Sequence, residues 1–499
     1  MKVDALLAEI GSTTTVISAF NGMGAELKGP VPFSGEEPQL LAQGSAPTSV
    51  TAGDVIIGLN EALEDLKASL GCVSGFGFGS ESGRSGDETL EWGTFMACSS
   101  AAGGLRMSVH GLVMDMTARA AREAALGAGA IIKQVTAGKM RASDIRLLNE
   151  IDPNIILLAG GVDYGERVTS LYNAECIAEL NLPVPLLYAG NVENRAEIRD
   201  IFKGSRYRLE ILDNVYPRID ELHVDEARKH IQRVFEENIV HAPGMARIRE
   251  MVDGPILPTP GAVFTAAELL QEVVGDLLVI DAGGATTDVH SVTDGSEEIN
   301  RILISPEPRA KRTVEGDLGI YVNRENVLDL LARGEILSSC TALEDGFRER
   351  VMALPPLPHT EEEITTAEAL TAAVLEAALF RHAGRLQDLY TPGGRRQIAR
   401  GKDLSRVGLL IGTGGALTRL PRGGALLSAL LKLQKRNVLL PPHDCRTSID
   451  TDYIMAAAGV LSRRWPEGAL KLMKRSLDLK TSEEILEKGG TGCPDQSLR

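Results

Sequence analysis

The sequence contains two stretches of the same kind, AEIGSTTTV at residues 8–16 and IDAGGATTDV at residues 280–289. In each, a run of apolar residues is followed by an acid, a glycine turn and a cluster of threonines. Asp281 lies 272 residues after Glu9. At the same displacement three further pairs match: Gly11 with Gly283, Thr14 with Thr286, and Thr15 with Thr287. A repeat of this kind predicts a duplicated α/β domain.

Each half also contains a second apolar run that ends in paired glycines. The pair at 160–161 begins 149 residues after Gly11, and the pair at 414–415 begins 131 residues after Gly283. One such turn is weakly informative, because glycine follows many strands. Four turns in the same order favour two related halves that face each other across a cleft.

Length and composition fit a soluble protein of several domains. The chain has 499 residues, of which 43% are hydrophobic and 24% charged, which is typical of globular proteins. We expect a first lobe with insertions over residues 1–245 and a second lobe over 246–465, with a helical insertion at about 320–400. A C-terminal helix and tail are expected over 466–499.

Charge and cysteine usage exclude several functions. A net charge of −16 repels polyphosphate backbones, so nucleic acid is not an expected partner. The six cysteines are scattered without a CxxC pair, which favours reduced thiols over a metal site. No apolar run approaches the length of about 18 residues that a membrane span requires, and the first residues lack a signal peptide. We expect a cytoplasmic protein with no membrane partner.

Local patterns place the turns on strands and helices. We expect a hairpin from strands at 3–10 and 15–20, an irregular segment over 21–54, and a helix over 54–70. An Ala-rich helix over 112–133 and a helix capped by Ser143-Asp144 follow. In the later segments we expect parallel strands at 154–165 and 184–191, a domain boundary within 241–261, a strand at 276–284, mainly helix over 325–390, strand and turn at 407–420, and a last strand at 437–442.

The two threonine-rich turns suit phosphate binding. Turns of Gly, Ser and Thr expose backbone N–H groups and short hydroxyls, which bind phosphate oxygens. The turns GSTTT and GGATT could therefore hold the β- and γ-phosphates of a nucleotide from both sides. Glu9 and Asp281, and as a further candidate Asp288, could hold Mg²⁺ through water or orient an attacking water.

The GTGGA turn at 412–416 is expected at the nucleoside end of this site. Adjacent glycines let a base or ribose lie against the backbone. No GxxxxGK[ST] stretch is present, which excludes a P-loop. The GFGFGS stretch at 75–80 is a poor dinucleotide-binding fingerprint.

This order of turns resembles the actin, Hsp70 and sugar-kinase superfamily, which has a duplicated actin-like (ribonuclease H-like) ATPase fold with two lobes around a nucleotide cleft. Further motifs together resemble the MutL/GlmL family: CSSAAGGLRMSVHGL (98–112), AGGVDYG (159–165), DNVYPRID (213–220), PTPGAVFTAAELL (258–270), DAGGATTDVHSV (281–292), AKRTVEGDLG (310–319) and GTGGALTRL (412–420). These are accessory proteins of adenosylcobalamin-dependent glutamate mutase, unrelated to the mismatch-repair protein of the same name. The similarity covers roughly residues 3–465.

The resemblance implies an ATP-driven chaperone that hydrolyses ATP, with Mg²⁺, to expel damaged cobalamin from its mutase. It also implies which residues bind the nucleotide. The first phosphate turn has Gly11, Ser12, Thr13 and Thr14, and the second has Asp281, Gly283, Gly284, Thr286 and Thr287. The adenosine turn has Gly412, Gly414 and Gly415. Glu315 and Asp317 lie in the EGDLG segment, with an interdomain or metal-adjacent role. The superfamily usually has Asp where this chain has Glu9, so slow hydrolysis, or binding without hydrolysis, is conceivable.

Two other functions stay open at this stage. A small-molecule kinase would share the cleft, but no substrate pocket is evident in the sequence. A non-hydrolysing actin-like scaffold would fit the altered Glu9. The client mutase, glutamate mutase or an aminomutase, and the oligomeric state are not determined by the sequence.

Several conspicuous residues are expected to be structural. The segment from Asp288 to His290 begins like the cobalamin-binding DxHxxG signature, but Thr293 replaces its glycine, so we expect a structural His290 and no bound cobalamin. Cys98 has no assignable base and is expected to be buried. The Gly-rich loop at 75–86 is a candidate partner-binding element, and the Arg-rich stretch at 393–402 is expected to be a solvated face that could meet an acidic partner.

Overall fold

The computed structural model describes residues 1–11, 13–23, 37–49, 54–72, 90–100, 106–127, 130–219, 221–239, 244–315, 317–333, 336, 346–391, 394–433 and 435–479. The loop at 75–86 and the tail beyond 479 lie outside these residues. The strands are β1 (Lys2–Ile10), β2 (Thr14–Asn21), β3 (Gln39–Pro47), β4 (Glu91–Ser99), β5 (Arg106–Gly111), β6 (Ile131–Ala137), β7 (Ile155–Leu158), β8 (Pro185–Tyr188), β9 (Arg208–Ile211), β10 (Leu257–Pro258), β11 (Leu277–Ala282), β12 (Thr287–Val292), β13 (Ala310–Glu315), β14 (Arg385–Thr391), β15 (Gly394–Arg400), β16 (Leu409–Thr413) and β17 (Arg446–Ile449). The α-helices are α1 (Val55–Ser69), α2 (Arg119–Gly127), α3 (Ala142–Glu150), α4 (Val168–Leu180), α5 (Arg195–Ile201), α6 (Asp225–Ile239), α7 (Met245–Met251), α8 (Thr259–Val274), α9 (Glu297–Asn300), α10 (Arg324–Ala332), α11 (Phe347–Ala353), α12 (Glu361–His382), α13 (Gly415–Thr418), α14 (Gly423–Leu430), α15 (Met455–Leu461) and α16 (Pro466–Ser476).

Two five-stranded sheets share one topology. The first sheet has the order β10-β4-β1-β2-β3, and the second, read in the same sense, has the order β17-β16-β11-β12-β13. In both sheets the first three strands in chain order are antiparallel neighbours, while the two added strands run parallel to the first. The predicted duplicated α/β fold with two actin-like lobes is therefore confirmed.

The repeated hairpins have the same register. Ile10 pairs with Thr15 in the first sheet, and Ala282 pairs with Thr287 in the second. Both central strands are buried on both faces for most of their length, as the continuous apolar runs predict. The predicted acids, Glu9 and Asp281, therefore occupy equivalent positions next to the last residue of each strand.

One apolar core joins the two lobes. Helices α8 and α15 contribute to it together with one face of each sheet. Representative buried members are Leu7 and Met96 from the first sheet, Ala262 from α8, Val279 from the second sheet and Val460 from α15. Burying each large aliphatic side chain contributes about 1.5–3 kcal/mol, so this core holds the lobes together behind the cleft.

A third sheet is inserted between β4 and β10. Its five strands are all parallel, in the order β6-β5-β7-β8-β9. The predicted parallel strands near 154–165 and 184–191 are confirmed as β7 and β8, with α4 between them. We call residues 106–239 the insert.

The matching of the glycines at 160–161 with those at 414–415 is wrong. The first pair follows β7 of the insert, whereas the strand that is topologically equivalent to β16 is β4. The mistake has a simple cause, because glycine turns end parallel strands in any α/β sheet.

The insert packs against the first lobe through a shared core. Leu6 of β1 and Leu59 of α1 belong to the same buried cluster as Val109 of β5, Ala121 of α2 and Ile231 of α6. The insert is therefore continuous with the first lobe rather than a separately folded appendage.

Helices cover the outer face of the second sheet. Helix α12 begins with a capping box in which Thr360 accepts from the Glu363 backbone N–H at 3.2 Å and the Glu363 carboxylate accepts from the Thr360 N–H at 3.0 Å. Its buried side chains pack on the sheet together with those of α10, α11 and α14. The mainly helical content predicted for 325–390 is confirmed up to β14.

Four local predictions are wrong. The segment predicted as irregular, 21–54, contains β3. The stretch 112–133 is a π-helical turn at Met114–Ala118, then the short α2, and then the start of β6. The expected capping by Ser143-Asp144 is shifted, because α3 begins at Ala142 and its Asp144 carboxylate accepts from the Arg141 N–H at 2.7 Å. The expected last strand at 437–442 reduces to an isolated pairing of Val438 with Arg385.

The predicted lobe boundaries stay predictions. Leu257–Pro258 pairs with β4 in the first sheet, so strand pairing of the first lobe continues beyond residue 245. Helix α16, the described part of the C-terminal segment, contributes Leu472 and Met473 to the core between the sheets. No helix in the described residues has the length and apolar character needed to cross a bilayer.

Candidate functional site

A cavity of about 460 Å³ lies where the two sheets meet. We call it the cleft cavity. The predicted site residues on its wall are Glu9, Thr13, Thr14, Asp281, Gly283, Gly284, Thr286, Gly414 and Gly415, joined by the further candidate Asp288. The structure thus brings one turn from each lobe and the glycine turn after β16 to a single cavity.

The two threonine-rich turns have the same backbone geometry. The Gly11 N–H donates to the Thr14 carbonyl at 3.0 Å, and the Gly283 N–H donates to the Thr286 carbonyl at 3.0 Å. A Cβ at Gly11 would lie 2.6 Å from the Thr14 oxygen, which no side chain can tolerate. The sequence repeat is therefore a repeat of turn conformation.

The turns also face each other. A Cβ added to Gly284 would lie 3.6 Å from Cγ2 and 3.7 Å from Oγ1 of Thr13. A side chain at Gly284 would thus meet Thr13 of the other lobe, so the two turns lie opposite each other. A phosphate chain held by one turn would be within reach of the other.

Three carboxylates converge on the cleft cavity. Asp281 and Asp288 are paired across β11 and β12, and Glu9 comes from the other lobe. Burial raises the pKa of Asp281 well above its ordinary value of 3.8, and the negative charges of Asp288 and Glu9 raise it further. This mutual repulsion is what a bound cation would relieve.

Glu9 has an unexpected partner. Burial raises the pKa of its carboxyl from 4.5 to about 7, although a hydrogen bond from Tyr453 opposes the shift. The Tyr453 hydroxyl donates to Oε1 of Glu9 at 3.1 Å. The Arg419 guanidinium lies 5.8 Å from the centroid of the Tyr453 ring, which keeps a positive charge near the acids.

Asp450 fixes the loop that carries Tyr453. Its buried carboxylate accepts from the Thr413 hydroxyl and from the Ile454 and Met455 N–H groups, each at 2.9 Å, and from the Ser476 hydroxyl at 2.6 Å. Tyr453 itself has a positive φ of 51°, a strained backbone conformation for this residue. The loop is therefore held in one conformation from several sides.

The glycine turn at 412–416 lies close to Asp281. Gly414 has a φ of 84°, and a Cβ there would lie 2.5 Å from Oδ1 of Asp281. Its neighbour Gly415 has no atom within 4 Å of a Cβ position. Gly414 is thus required by close approach, while Gly415 leaves open space beside the cavity.

Part of the wall of the cleft cavity is apolar. It is lined by side chains of the second lobe: Ile320, Tyr321, Pro356, Leu357, Pro358, Ile364, Leu420 and Pro421. A flat apolar group the size of a nucleobase suits such a surface. Gly414 and Gly415 line the same cavity, and the Tyr321 N–H donates to the Gly284 carbonyl at 2.9 Å beside the second threonine-rich turn.

Three predicted residues support the turns without reaching the cavity wall. Among the described residues that line the cavity, Gly11, Thr287 and Gly412 are absent. The Thr287 hydroxyl donates to the Leu318 carbonyl at 2.7 Å, and a Cβ at Gly412 would meet Ile449 at 2.8 Å. Ser12 lies outside the described residues.

Glu315 and Asp317 have a contact within the second lobe. Both accept from Arg381 of α12, at 2.8 Å for Glu315 and at 2.7 and 3.0 Å for Asp317. Neither residue lines the cleft cavity. The arrangement anchors α12 to the end of β13.

His290 and Cys98 are buried, as expected. Each has 0% exposure. Burial lowers the pKa of His290 well below 6.5 and raises the pKa of the Cys98 thiol well above 9.0. Such a thiol is a poor nucleophile.

Sequence reasoning missed several wall residues. Arg419 was within the quoted GTGGALTRL motif, so its place one turn after the glycines was the available signal. Arg312 was within the quoted AKRTVEGDLG motif, and the register of β13 with β12 brings it to the cavity. Tyr453 had no such signal, because it lies in the loop between β17 and α15. Pro356, Leu357 and Pro358 lie between α11 and α12, inside the stretch predicted as mainly helix, and carried no signal of a binding role.

The acids fit a magnesium ion held together with a ligand. In the part of the chain that is described, no group of three or more His, Cys, Asp or Glu side chains is arranged to hold a metal by itself. Mg²⁺ commonly takes only one or two carboxylates and completes its shell with water and phosphate oxygens. Glu9, Asp281 and Asp288 supply hard carboxylate oxygens of that kind to the cavity from both lobes.

Comparisons with known proteins identify the family. The model of the MutL protein family matches residues 5–477. A curated relative, "Protein MutL" from Clostridium tetanomorphum, is 34% identical over 484 residues, covering 95% of this chain and 98% of the relative. Among solved structures, nucleotide-free acetone carboxylase covers 92% of this chain and 70% of its own at 13% identity, with a TM-score of 0.40. The nucleotide-free diol dehydratase-reactivating factor covers 96% and 99% at 11% identity, with a TM-score of 0.33. The match over nearly the whole length, and not these distant structural likenesses, shows that the chain belongs to the MutL protein family.

Proposed function

We propose that the chain is an ATP-dependent reactivating chaperone that hydrolyses ATP to release damaged cobalamin from an adenosylcobalamin-dependent mutase. The observation that carries the nucleotide part is the opposition of Gly284 and Thr13, with equivalent turns from both lobes closing on three acids. The mutase part rests on membership of the MutL family and on the resemblance of the motifs, and glutamate mutase is the first client to test.

Each part of the wall has a role in this proposal. Backbone N–H groups of the turns at 11–14 and 283–286 would bind the β- and γ-phosphates, and the threonine hydroxyls would add to them. The base would lie on the apolar part of the wall near Leu357, with its ribose against the glycines at 414–415. Release of the γ-phosphate would remove contacts to both lobes and let them separate.

The acids divide between the metal and the water. Asp281 and Asp288 would hold Mg²⁺, which neutralises charge on the phosphate oxygens. Glu9 would orient the attacking water and accept its proton, since a pKa of about 7 suits a general base at neutral pH. The hydrogen bond from Tyr453 would hold the carboxylate in place for that transfer.

The same pair of residues supports a second candidate function. A pKa raised to about 7 favours a protonated Glu9 at and below neutral pH, and a protonated carboxyl cannot act as the base. A scaffold that binds ATP without turnover would therefore fit Glu9 as well. Nucleotide-dependent pelleting without phosphate release would favour it.

Two measurements test the proposed function. Calorimetric titration with magnesium and a nonhydrolysable ATP analogue is expected to show one site per chain, and phosphate release is expected with ATP. Glutamate mutase loaded with hydroxocobalamin is then incubated with the protein, and released cobalamin is measured with ATP, with ADP and with no nucleotide. Release that requires ATP supports the proposal, and an aminomutase loaded in the same way tests the other client. Binding without any release from either enzyme would contradict the chaperone part.

A further inference from the structure

Arg312 touches both the cleft cavity and the insert. It lies on β13 and is 2% exposed. Its Nε and Nη2 donate to Oδ1 of Asp288 at 3.0 and 2.6 Å. Its Nη1 donates to the carbonyl of Leu126, in the last turn of α2, at 2.7 Å. One side chain therefore connects an acid of the cavity wall to a helix of the insert.

The contact lies within a larger joint between the insert and the second lobe. Lys311 is paired with Glu307 at 2.9 Å and with Glu123 of α2 at 3.6 Å. Arg119 of α2 is paired with Glu307 and donates to the Pro306 carbonyl at 2.9 Å. Of these charged residues only Arg312 lines the cavity. The others hold the joint together, and Arg312 alone can respond directly to what the cavity contains.

The shape of the guanidinium makes its two contacts interdependent. Arginine presents its N–H donors in a rigid plane. A cation at Asp288 would compete with Arg312 for the same carboxylate oxygen, and a phosphate would attract the guanidinium toward the cavity. In either case the plane turns or shifts, and the bond to the Leu126 carbonyl changes with it.

We propose that Arg312 is a positioning residue that couples occupancy of the cleft cavity by nucleotide and metal to α2, and through α2 to the inserted parallel sheet. This inference rests on the proposed nucleotide binding. The contact between α2 and β13 is then the point at which ligand binding in the cleft cavity affects the insert.

Hydrogen–deuterium exchange on the full chain tests the coupling. The wild type is compared with and without saturating magnesium and a nonhydrolysable ATP analogue. Peptides covering 9–16 and 281–288 report on the cavity, and peptides covering 119–127 report on α2. We expect the nucleotide to change exchange in all three regions of the wild type.

Two Arg→Lys variants separate coupling from packing. Arg312→Lys keeps the charge but cannot contact Asp288 and Leu126 at once, so the α2 response is expected to fall at least about threefold while cavity protection persists at saturation. Arg119→Lys weakens the same joint away from the cavity and is expected to keep the α2 response. Arg312→Gln, which removes the charge at the same position, should also lose the response, and it replaces Arg312→Lys if that variant does not fold.

The outcomes are distinct. An α2 response of wild-type size in Arg312→Lys, or in Arg312→Gln where that variant replaces it, with cavity protection intact, overturns the role of Arg312. Loss of the response in Arg119→Lys to the same extent also overturns it, because general weakening of the joint then explains the effect. A wild type with no protection at 9–16 and 281–288 overturns the proposed nucleotide function itself, and the coupling with it.

Discussion

The Tyr453 hydroxyl donates a 3.1 Å hydrogen bond to the Glu9 carboxylate, joining residues 444 positions apart at the wall between the two lobes. Burial raises the pKa of Tyr453 well above 10, so the hydroxyl stays a donor at any physiological pH. The longer side chain of Glu9 thus has a partner from the second lobe. The glutamate found here in place of the usual aspartate is therefore accommodated by a specific hydrogen bond in the site.

Removing the second acid is expected to abolish turnover. Asp281→Asn keeps the size of the side chain and removes its charge, so phosphate release should fall about 100-fold or more, as when a group that stabilises or positions reacting atoms is lost. The steady-state rate of phosphate release measures this. Asp294→Asn, at a side chain that is 77% exposed, is the matched control and should be unchanged. Equal rates in Asp281→Asn and wild type would remove the catalytic assignment.

Alanine substitution of the neighbouring residues Gly414 and Gly415 is expected to change stability by very different amounts. Gly414→Ala places a carbon 2.5 Å from Asp281 at a φ of 84°, so it should lower the free energy of unfolding by about 1–3 kcal/mol and weaken nucleotide binding. Gly415→Ala enters open space and should leave stability within about 0.5 kcal/mol of wild type. Urea denaturation of both variants measures the difference. Similar stabilities would show that the turn is not held as described.

Glu9 is expected to make stability depend on pH. Its folded-state pKa of about 7 exceeds the ordinary 4.5, so the folded chain binds the extra proton and stability falls as pH rises from about 4.5 to 7. Glu9→Gln cannot ionise but still accepts from Tyr453. The variant should be more stable than wild type at pH 8, by up to about 3 kcal/mol, with the difference vanishing toward pH 4.5. Denaturation at the two pH values checks this, and a difference of the same size at both would contradict the assigned shift.

The apolar part of the cavity wall is expected to contribute to binding of the nucleoside but not of the phosphates. Leu357→Asp, at a side chain that is 43% exposed, should weaken binding of ATP about tenfold and leave binding of inorganic tripolyphosphate unchanged. Val273→Asp on α8, at 49% exposure and away from the cavity wall, is the control. Calorimetric titration of both ligands measures the two affinities. Equal weakening of both would place the base elsewhere.

The sequence predicted the repeated hairpin turns and the buried strands with a local apolar pattern. The hairpin turns at 8–16 and 280–289 determine their own conformation through glycine and threonine, so their equivalence could be seen before the structure. The apolar runs at 154–158 and 184–188 were recognisable as buried strands for the same reason.

What depends on distant pairing could not be predicted. β3 lies in a stretch rich in Gly, Pro and Ser, and it is a strand because β2 offers it an edge to pair with. Tyr453, Arg312 and Asp450 reach the site through strand register and loop packing, which no local pattern encodes. The glycines at 160–161 were misassigned because local turn chemistry does not say to which sheet a strand belongs.

The core that runs without a break from β1 and α1 into β5, α2 and α6 has a mechanical consequence. Separating the insert from the first lobe would expose that apolar surface, so the two bodies turn as one when the lobes move. A small rotation at the cleft is then magnified at the far edge of the parallel sheet, beyond β9. In such a rotation the insert would act as a lever arm, with its largest displacement at that edge.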